Sequence, residues 1–191
     1  VGLGIDDRGS RDFPYVLPEE AVAMAGDYQA SVGSPLAFIA PGGGWENKLY
    51  PAPLWGEVAA GLAQMHLAPV VLWGPGEEEL ADAVIEASGG TARRAPETSI
   101  LELAALARVC RVFLAADTGP LHIAGAMGAP LVGVFGPTDP ARNGPWAEGD
   151  EVVRRVPACA PCHKRNCDTH LDTMKKIKVS AVLEAATRRL S

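Results

Sequence analysis

The sequence predicts an α/β domain built on a doubly wound, parallel, Rossmann-like sheet. Short apolar runs alternate along the chain with segments in which apolar residues recur at helical spacing. The apolar runs are continuous rather than alternating, which is typical of parallel strands that helices cover on both faces. Proline and glycine close the first two runs, as expected where strands end in loops.

Six segments are predicted as strands, of which the third is the weakest candidate. In chain order they cover residues 36–40, 69–73, 91–94, 112–116, 131–135 and 151–156. Because crossovers between parallel strands are right-handed, we expect the strand order 3-2-1-4-5-6.

Helical patterns fill the intervals between these strands. Three glutamates open the segment 77–88, where their charge suits the positive end of the helix dipole. Thr98 or Ser99 is expected to cap the helix that follows. The predicted helices cover residues 18–31, 53–66, 77–88, 99–109 and 120–127.

The predicted domain comprises residues 36–191 and ends in a helix. Residues 1–35 precede the first strand, and because the sequence begins with Val1 rather than Met we do not expect it to begin at a natural start. We therefore expect residues 1–35 to be the remnant of an N-terminal domain and its linker.

Composition excludes several classes of protein. Hydrophobic residues make up 48% of the 191 residues, which supplies a core and excludes general disorder. The formal net charge of −6 disfavours a nucleic-acid partner, although basic residues gather between 154 and 189. A local basic face and an ordinary solvated rim both fit that segment. The chain shows no membrane span, signal peptide or secreted cysteine framework, so a cytoplasmic location fits best.

The strand order also predicts where a ligand binds. Doubly wound sheets bind ligands beyond the carboxyl ends of their strands, at the point where the order reverses. Here the loops at that point are residues 41–48, after the first strand, and residues 117–122, after the fourth.

The first loop reads Gly42-Gly43-Gly44-Trp45-Glu46-Asn47-Lys48. Its glycines allow backbone N–H groups to approach an anion closely, and Lys48 adds a positive charge. The loop is not a Walker loop, and Asn47 holds the last position of a G-x-G-x-x-G pattern. A plain flexible turn is the alternative interpretation.

The second loop reads Asp117-Thr118-Gly119-Pro120-Leu121-His122 and opens a helix. Thr118 and Gly119 would place a hydroxyl and backbone donors at the helix N-terminus, which is a ready phosphate site. The alternative is that Asp117 or Thr118 only caps the helix and that His122 is an ordinary residue of its face.

Taken together, these loops resemble the ADP-heptose:lipopolysaccharide heptosyltransferases, which form glycosyltransferase family 9. The pair Asp-Thr-Gly-Pro-x-His and Phe-Gly-Pro-Thr-Asp-Pro, at this separation, is its most specific part. The resemblance runs from about Leu36 to the end of the chain. The matching segments are residues 41–51, 73–79, 117–124, 135–140 and 159–167.

The resemblance implies the C-terminal, donor-binding half of a B-type glycosyltransferase that inverts the anomeric centre without a metal ion or another cofactor. Lys48 would contact the donor phosphate or sugar and act in catalysis with Asp117, and Glu77 would contact the ribose hydroxyls. The family's catalytic base is an aspartate of the N-terminal domain, which residues 1–35 are too few to contain. The implied donor-binding residues are Gly43, Gly44, Lys48, Glu77, Asp117, Thr118, Gly119 and His122.

The implied partners are an ADP-sugar and, through the missing N-terminal domain, a lipid-linked glycan of the lipopolysaccharide-core type. No nucleic-acid partner is expected. Because the implied acceptor is lipid-linked, peripheral association of the protein with the inner face of the inner membrane is compatible with it. Two alternatives stay open. One is another nucleotide-sugar enzyme, which uses a UDP-sugar, and the other is a non-catalytic binding module.

A group of cysteines and histidines near the end of the chain has three interpretations. Its members are Cys159, Cys162, His163, Cys167 and His170. They suffice for a tetrahedral zinc site, but their spacing is not that of a standard zinc finger. Family members often carry a fourth cysteine before a methionine, whereas Thr173 precedes Met174 here. A disulfide and free thiols are the alternatives, and we expect no metal.

Overall fold

The computed structural model describes residues 15–161 and 172–191. Its six described strands form one parallel sheet in the order β3-β2-β1-β4-β5-β6, which confirms the predicted fold class and strand order. The strands are β1 (Leu36–Ala40), β2 (Ala68–Val71), β3 (Arg93–Arg94), β4 (Val112–Ala116), β5 (Leu131–Phe135) and β6 (Glu151–Arg154). The helices are α1 (Glu19–Val32), α2 (Ala52–Gln64), α3 (Glu78–Ala87), α4 (Ile100–Val109), α5 (Gly119–Ala126), α6 (Pro140–Asn143) and α7 (Val179–Leu190).

Strand β1 lies at the centre of the sheet, where the strand order reverses. It pairs in parallel with β2 on one side, where Leu36 lies opposite Ala68, and with β4 on the other, where Ile39 lies opposite Leu114. The helices that follow β1 and β4 therefore leave on opposite faces, and the loops between strand and helix diverge. This divergence opens a crevice at the carboxyl edge of the sheet.

Each face of the sheet has its own apolar core. Phe38 of β1 packs against Phe113 of β4 on the face that α1, α4 and α5 cover, with ring centroids 6.2 Å apart. Ile39 and Leu114 face the opposite core, which α2, α3 and α7 cover. Burying each such side chain stabilises the fold by roughly 1.5–3 kcal/mol. The strands β1, β2, β4 and β5 are uniformly apolar because both of their faces are buried.

The helix that begins at Ile100 has a capping box. The Ser99 hydroxyl accepts a hydrogen bond from the Glu102 N–H at 3.3 Å, and the Glu102 carboxylate accepts one from the Ser99 N–H at 2.7 Å. Of the two predicted caps, Ser99 is therefore the one observed. This contact fixes the start of α4 beside the crevice.

Strand β2 ends two residues earlier than the sequence pattern predicts. By Trp73 the chain has left the sheet, and the Trp73 indole N–H donates a hydrogen bond to the Ala95 carbonyl at 2.9 Å. The apolar run of the sequence thus extends beyond the end of β2, since Trp73 packs beside the neighbouring loop and not within the sheet.

Helix α1 packs on α4, and Leu17, Ala21 and Ala25 are buried in the core beneath it. The described part of residues 1–35 thus shares a core with the sheet, and its origin in an N-terminal domain stays a prediction. In the described part of the chain, no helix combines the length and apolar character needed to span a membrane.

Candidate functional site

A cavity of about 680 Å³ opens at the carboxyl edge of the sheet, where the strand order reverses. The loops after β1, β2 and β4 form its walls together with the start of α4 and the end of α6. Its chemically distinctive lining residues are Gly42, Gly43, Gly44, Trp45, Lys48, Trp73, Glu77, Ser99, Asp117, Thr118, Gly119, His122 and Asn143.

Asp117 is the electrostatic centre of this cavity. The Lys48 ammonium donates a hydrogen bond to Asp117 Oδ2 at 2.7 Å, and the Asn143 amide donates one to the same oxygen at 3.2 Å. His122 Nε2 lies 3.5 Å from Oδ1. Only 4% of the Asp117 side chain is exposed, so water competes little for these donors.

The pKa of Asp117 reflects two opposing effects. Burial raises the pKa, but contacts from His122, Lys48, Thr138 and Asn143 more than offset burial and hold it well below its ordinary range. The carboxylate is therefore charged throughout the neutral range. A general base works best when its pKa lies near the operating pH, so Asp117 is a poor proton acceptor.

Asp117 is not a helix cap. Thr118 occupies the N-cap position of α5 and makes no side-chain cap hydrogen bond, while the Asp117 oxygens face Lys48, Asn143 and His122. The helix nevertheless begins with Gly119 and Pro120 at the cavity wall, so the positive end of its dipole lies at the cavity edge. The capping interpretation of Asp117 is thus wrong.

Lys48 is placed by a short, well-anchored turn. It ends the 3-10 helix Glu46–Lys48, and the Lys48 ammonium lies 4.4 Å from the centroid of the Trp45 ring. Beyond the turn, the Tyr50 hydroxyl donates a hydrogen bond to the Ile177 carbonyl at 3.1 Å. Burial raises the pKa of Tyr50 to about 12, with a smaller effect from the charge of Glu57.

The glycine loop makes two close approaches that leave no room for side chains. A Cβ at Gly42 would collide with the Glu77 carboxylate, and a Cβ at Gly43 would lie 2.5 Å from the Thr118 methyl group. Glu77 is held from the other side, because its Oε2 accepts a hydrogen bond from the Gly74 N–H at 3.0 Å. Glycine thus permits three loops to converge on one cavity.

The cavity offers three kinds of contact. Lys48 and the first turn of α5 suit an anion, and the Glu77 carboxylate can accept hydrogen bonds from hydroxyl groups. Ile100 and Leu103 of α4, together with Trp73, add apolar surface. These contacts suit a ligand that carries an anionic group, hydroxyls and a flat apolar ring.

All eight residues predicted to bind a donor lie around this one cavity, although their individual roles stay predictions. Asn143 was not singled out from the sequence. The Asp139 carboxylate caps the helix α6 by accepting a hydrogen bond from the Ala141 N–H at 3.2 Å, and this short helix carries Asn143 to Asp117. Asn143 belongs to none of the matched motifs, and nothing in the local pattern distinguishes it from a surface asparagine.

Most residues of the possible zinc site lie outside the part of the chain that the structure describes. Cys162, His163, Cys167 and His170 are not among them, whereas Cys159 is described, exposed and free. Within residues 15–161 and 172–191, no group of three or more histidine, cysteine, aspartate or glutamate side chains could hold a metal ion. Burial raises the pKa of the Cys110 thiol to about 12, so that thiol stays protonated.

The chain is similar to a known family over most of its length. The model of glycosyltransferase family 9 (heptosyltransferase) matches residues 11–171. Lipopolysaccharide heptosyltransferase 1 of Pseudomonas aeruginosa is 29% identical over 161 residues, which cover 80% of this chain and 44% of that protein. The chain thus spans about half the length of the curated relatives it matches.

Solved structures show the same fold. A family 9 glycosyltransferase from Veillonella parvula superposes with a TM-score of 0.86 at 23% identity, over 98% of this chain and 56% of that one. The ADP-heptose lipopolysaccharide heptosyltransferase II of Escherichia coli superposes with a TM-score of 0.75 at 21% identity, over 92% and 52% of the respective chains.

Proposed function

The chain belongs to glycosyltransferase family 9, and from this membership we propose that it carries the donor-binding half of a heptosyltransferase. The complete enzyme would transfer heptose, or a related sugar, from an ADP-sugar to an acceptor of the lipopolysaccharide-core type. The names of the similar proteins support this assignment, since they are described as lipopolysaccharide and ADP-heptose heptosyltransferases.

The observation that carries the proposal is the Lys48–Asp117 pair within the cavity. Its 2.7 Å contact places a cation beside the first turn of α5, at the reversal point of the sheet. A nucleoside-diphosphate sugar carries its negative charge at the centre of the molecule, between a hydroxyl-bearing ribose and the sugar, and helix N-termini bind such anions. Lys48 and α5 would bind the diphosphate, and Glu77 would accept hydrogen bonds from the ribose hydroxyls.

The same arrangement would assist transfer. When an acceptor hydroxyl attacks the anomeric carbon, the bond from that carbon to the diphosphate oxygen breaks and negative charge grows on the departing ADP. The Lys48 ammonium and the N–H groups of α5 would stabilise that charge. Asp117 would keep Lys48 in place rather than accept the acceptor's proton, because its own pKa is held low. We assign the proton acceptor to the acceptor-binding half.

The apolar part of the cavity wall would receive the adenine ring. Ile100 is 71% exposed at this wall, and Leu103 and Trp73 also line the cavity. An aromatic base placed there would cover apolar surface that water now contacts. We propose no metal ion or other cofactor for the reaction.

Calorimetric titration of the 191-residue chain with ADP and with UDP tests the assignment. We expect ADP to bind and UDP to bind more weakly. Lys48→Met should weaken ADP binding by about tenfold or more, because a hydrogen bond to a charged group contributes about 1.5–3 kcal/mol. A preference for UDP would instead support the alternative of an enzyme that uses a UDP-sugar.

A further inference from the structure

Two groups hold the Lys48 ammonium from different directions. Asp117 Oδ2 accepts a hydrogen bond from it at 2.7 Å, and the centroid of the Trp45 ring lies 4.4 Å from Nζ. This second distance is well within the range of a cation–π contact. Only 14% of the Lys48 side chain is exposed, so a normally mobile ammonium is confined between a carboxylate and an aromatic face.

The local backbone brings Trp45 and Lys48 together. Trp45 is the residue before the 3-10 helix Glu46–Lys48, and its carbonyl accepts a hydrogen bond from the Lys48 N–H at 3.0 Å. This hydrogen bond closes the turn, and the 4.4 Å contact between Nζ and the ring centroid shows that both side chains lie on the same side of it. The turn therefore supplies the cation and its aromatic support as one unit.

We propose that Trp45 is a positioning residue of the donor site, whose ring holds the Lys48 cation where the donor diphosphate binds. The inference rests on the proposed function, since that function supplies the diphosphate. A lysine side chain that is ordered in advance loses less conformational freedom when the anion arrives. Tryptophan suits this role, because its ring attracts cations more strongly than the rings of phenylalanine or tyrosine.

The test compares ADP with adenosine, which lacks the phosphates. In Trp45→Leu we expect ADP to bind about threefold to tenfold more weakly while adenosine affinity changes by less than about twofold. Trp45→Phe keeps an aromatic face and should lie between wild type and Trp45→Leu. Equal weakening of ADP and adenosine would overturn the inference, because it would show that Trp45 contacts the nucleoside or merely supports the loop.

A double-mutant cycle distinguishes an effect of Trp45 on ADP affinity that acts through Lys48 from a direct contact between Trp45 and ADP. In the Lys48→Met background, Trp45→Leu should leave ADP affinity unchanged, because the cation that Trp45 positions is gone. A further loss of ADP affinity in the double variant, as large as in the single variant, would overturn the inference.

The contact can also be measured without a ligand. An aromatic face shifts the NMR signals of protons above it upfield, so the Lys48 ε-methylene protons should resonate upfield in the wild type and return to ordinary positions in Trp45→Leu. Ordinary positions in the wild type would overturn the inference even if ADP binds. If the wild type does not bind ADP, the proposed function fails, while this measurement still decides whether Trp45 holds Lys48.

Discussion

Asp117 connects three parts of the chain that are far apart in sequence. Lys48 comes from the loop after β1, His122 from α5 and Asn143 from α6, and all three side chains approach the same carboxylate. Burial alone would make this carboxylate harder to ionise, but the surrounding donors reverse that effect and lower its pKa. Asp117 is therefore an organising anion around which the cavity assembles.

The low pKa of Asp117 predicts a pH-dependent contribution to stability. A carboxylate whose pKa is lower in the folded state stabilises the fold fully above its unfolded pKa of about 3.9, and this contribution disappears as pH falls through the folded pKa. We expect the free energy of unfolding of the wild type to exceed that of Asp117→Asn at pH 5 and to exceed it by less below about pH 4. Urea unfolding at each pH measures this difference, and a difference that grows as the pH falls from 5 to 3 would contradict the account.

Gly42→Ala should impair the ligand site while preserving the fold. The new methyl group would displace the Glu77 carboxylate, which is the flexible end of its side chain, so the free energy of unfolding should change little. If Glu77 binds the ribose, the affinities for ADP and adenosine should both fall by roughly tenfold. Calorimetry measures both affinities.

Gly74→Ala is the matched control. Its Cβ would lie 3.5 Å from the same Glu77 oxygen, which is an ordinary van der Waals distance. ADP affinity should therefore stay within about twofold of wild type. Equal losses in Gly42→Ala and Gly74→Ala would show that the displacement of Glu77 is not the cause.

At the scale of elements, glycine sets how closely the helices on one face of the sheet approach each other. Helix α2 lies between α3 and α7, and its Gly56 faces α3 while its Gly61 faces Leu183 of α7. A Cβ at Gly56 would lie 2.6 Å from the Ala87 carbonyl carbon. The three helices thus cover this face as one closely packed layer.

Two glycine substitutions separate packing from helix propensity. Gly56→Ala should lower the free energy of unfolding by about 1–3 kcal/mol, because overpacking against Ala87 outweighs the better propensity of alanine. Gly26→Ala in α1 meets nothing within 4 Å and should raise stability by up to about 1 kcal/mol. Chemical denaturation of both variants measures the contrast, and stabilisation by Gly56→Ala would refute the packing at that position.

At the scale of the whole molecule, the sheet was largely predictable from sequence and part of the site was not. Residues 36–40, 112–116 and 131–135 match the observed strands because burial on both faces makes such runs continuously apolar. The glycine loop and the loop that begins at Asp117 follow strands that the predicted order makes neighbours. Asn143 reaches Asp117 through the position of the short helix α6. The spacing of apolar residues in the sequence does not predict that position.

The 191-residue chain by itself should bind an ADP-sugar without transferring the sugar. The matched region covers about half of each of these relatives, and the low pKa of Asp117 makes that residue unsuitable as the base that activates an acceptor hydroxyl. Incubation with ADP-heptose and a lipopolysaccharide-core acceptor, with product detected by mass spectrometry, checks this. Sustained turnover by this chain alone would refute the assignment of the base to the other half.

A crystal structure of this chain with ADP tests the central claim most directly. We predict that the diphosphate lies in the crevice between the loops after β1 and β4, with an oxygen about 3 Å from Lys48 Nζ and another near the backbone N–H groups that begin α5. The ribose hydroxyls should then lie within hydrogen-bond distance of the Glu77 carboxylate. ADP bound elsewhere on the molecule, or bound in this cavity with its phosphates directed away from Lys48, would contradict the account.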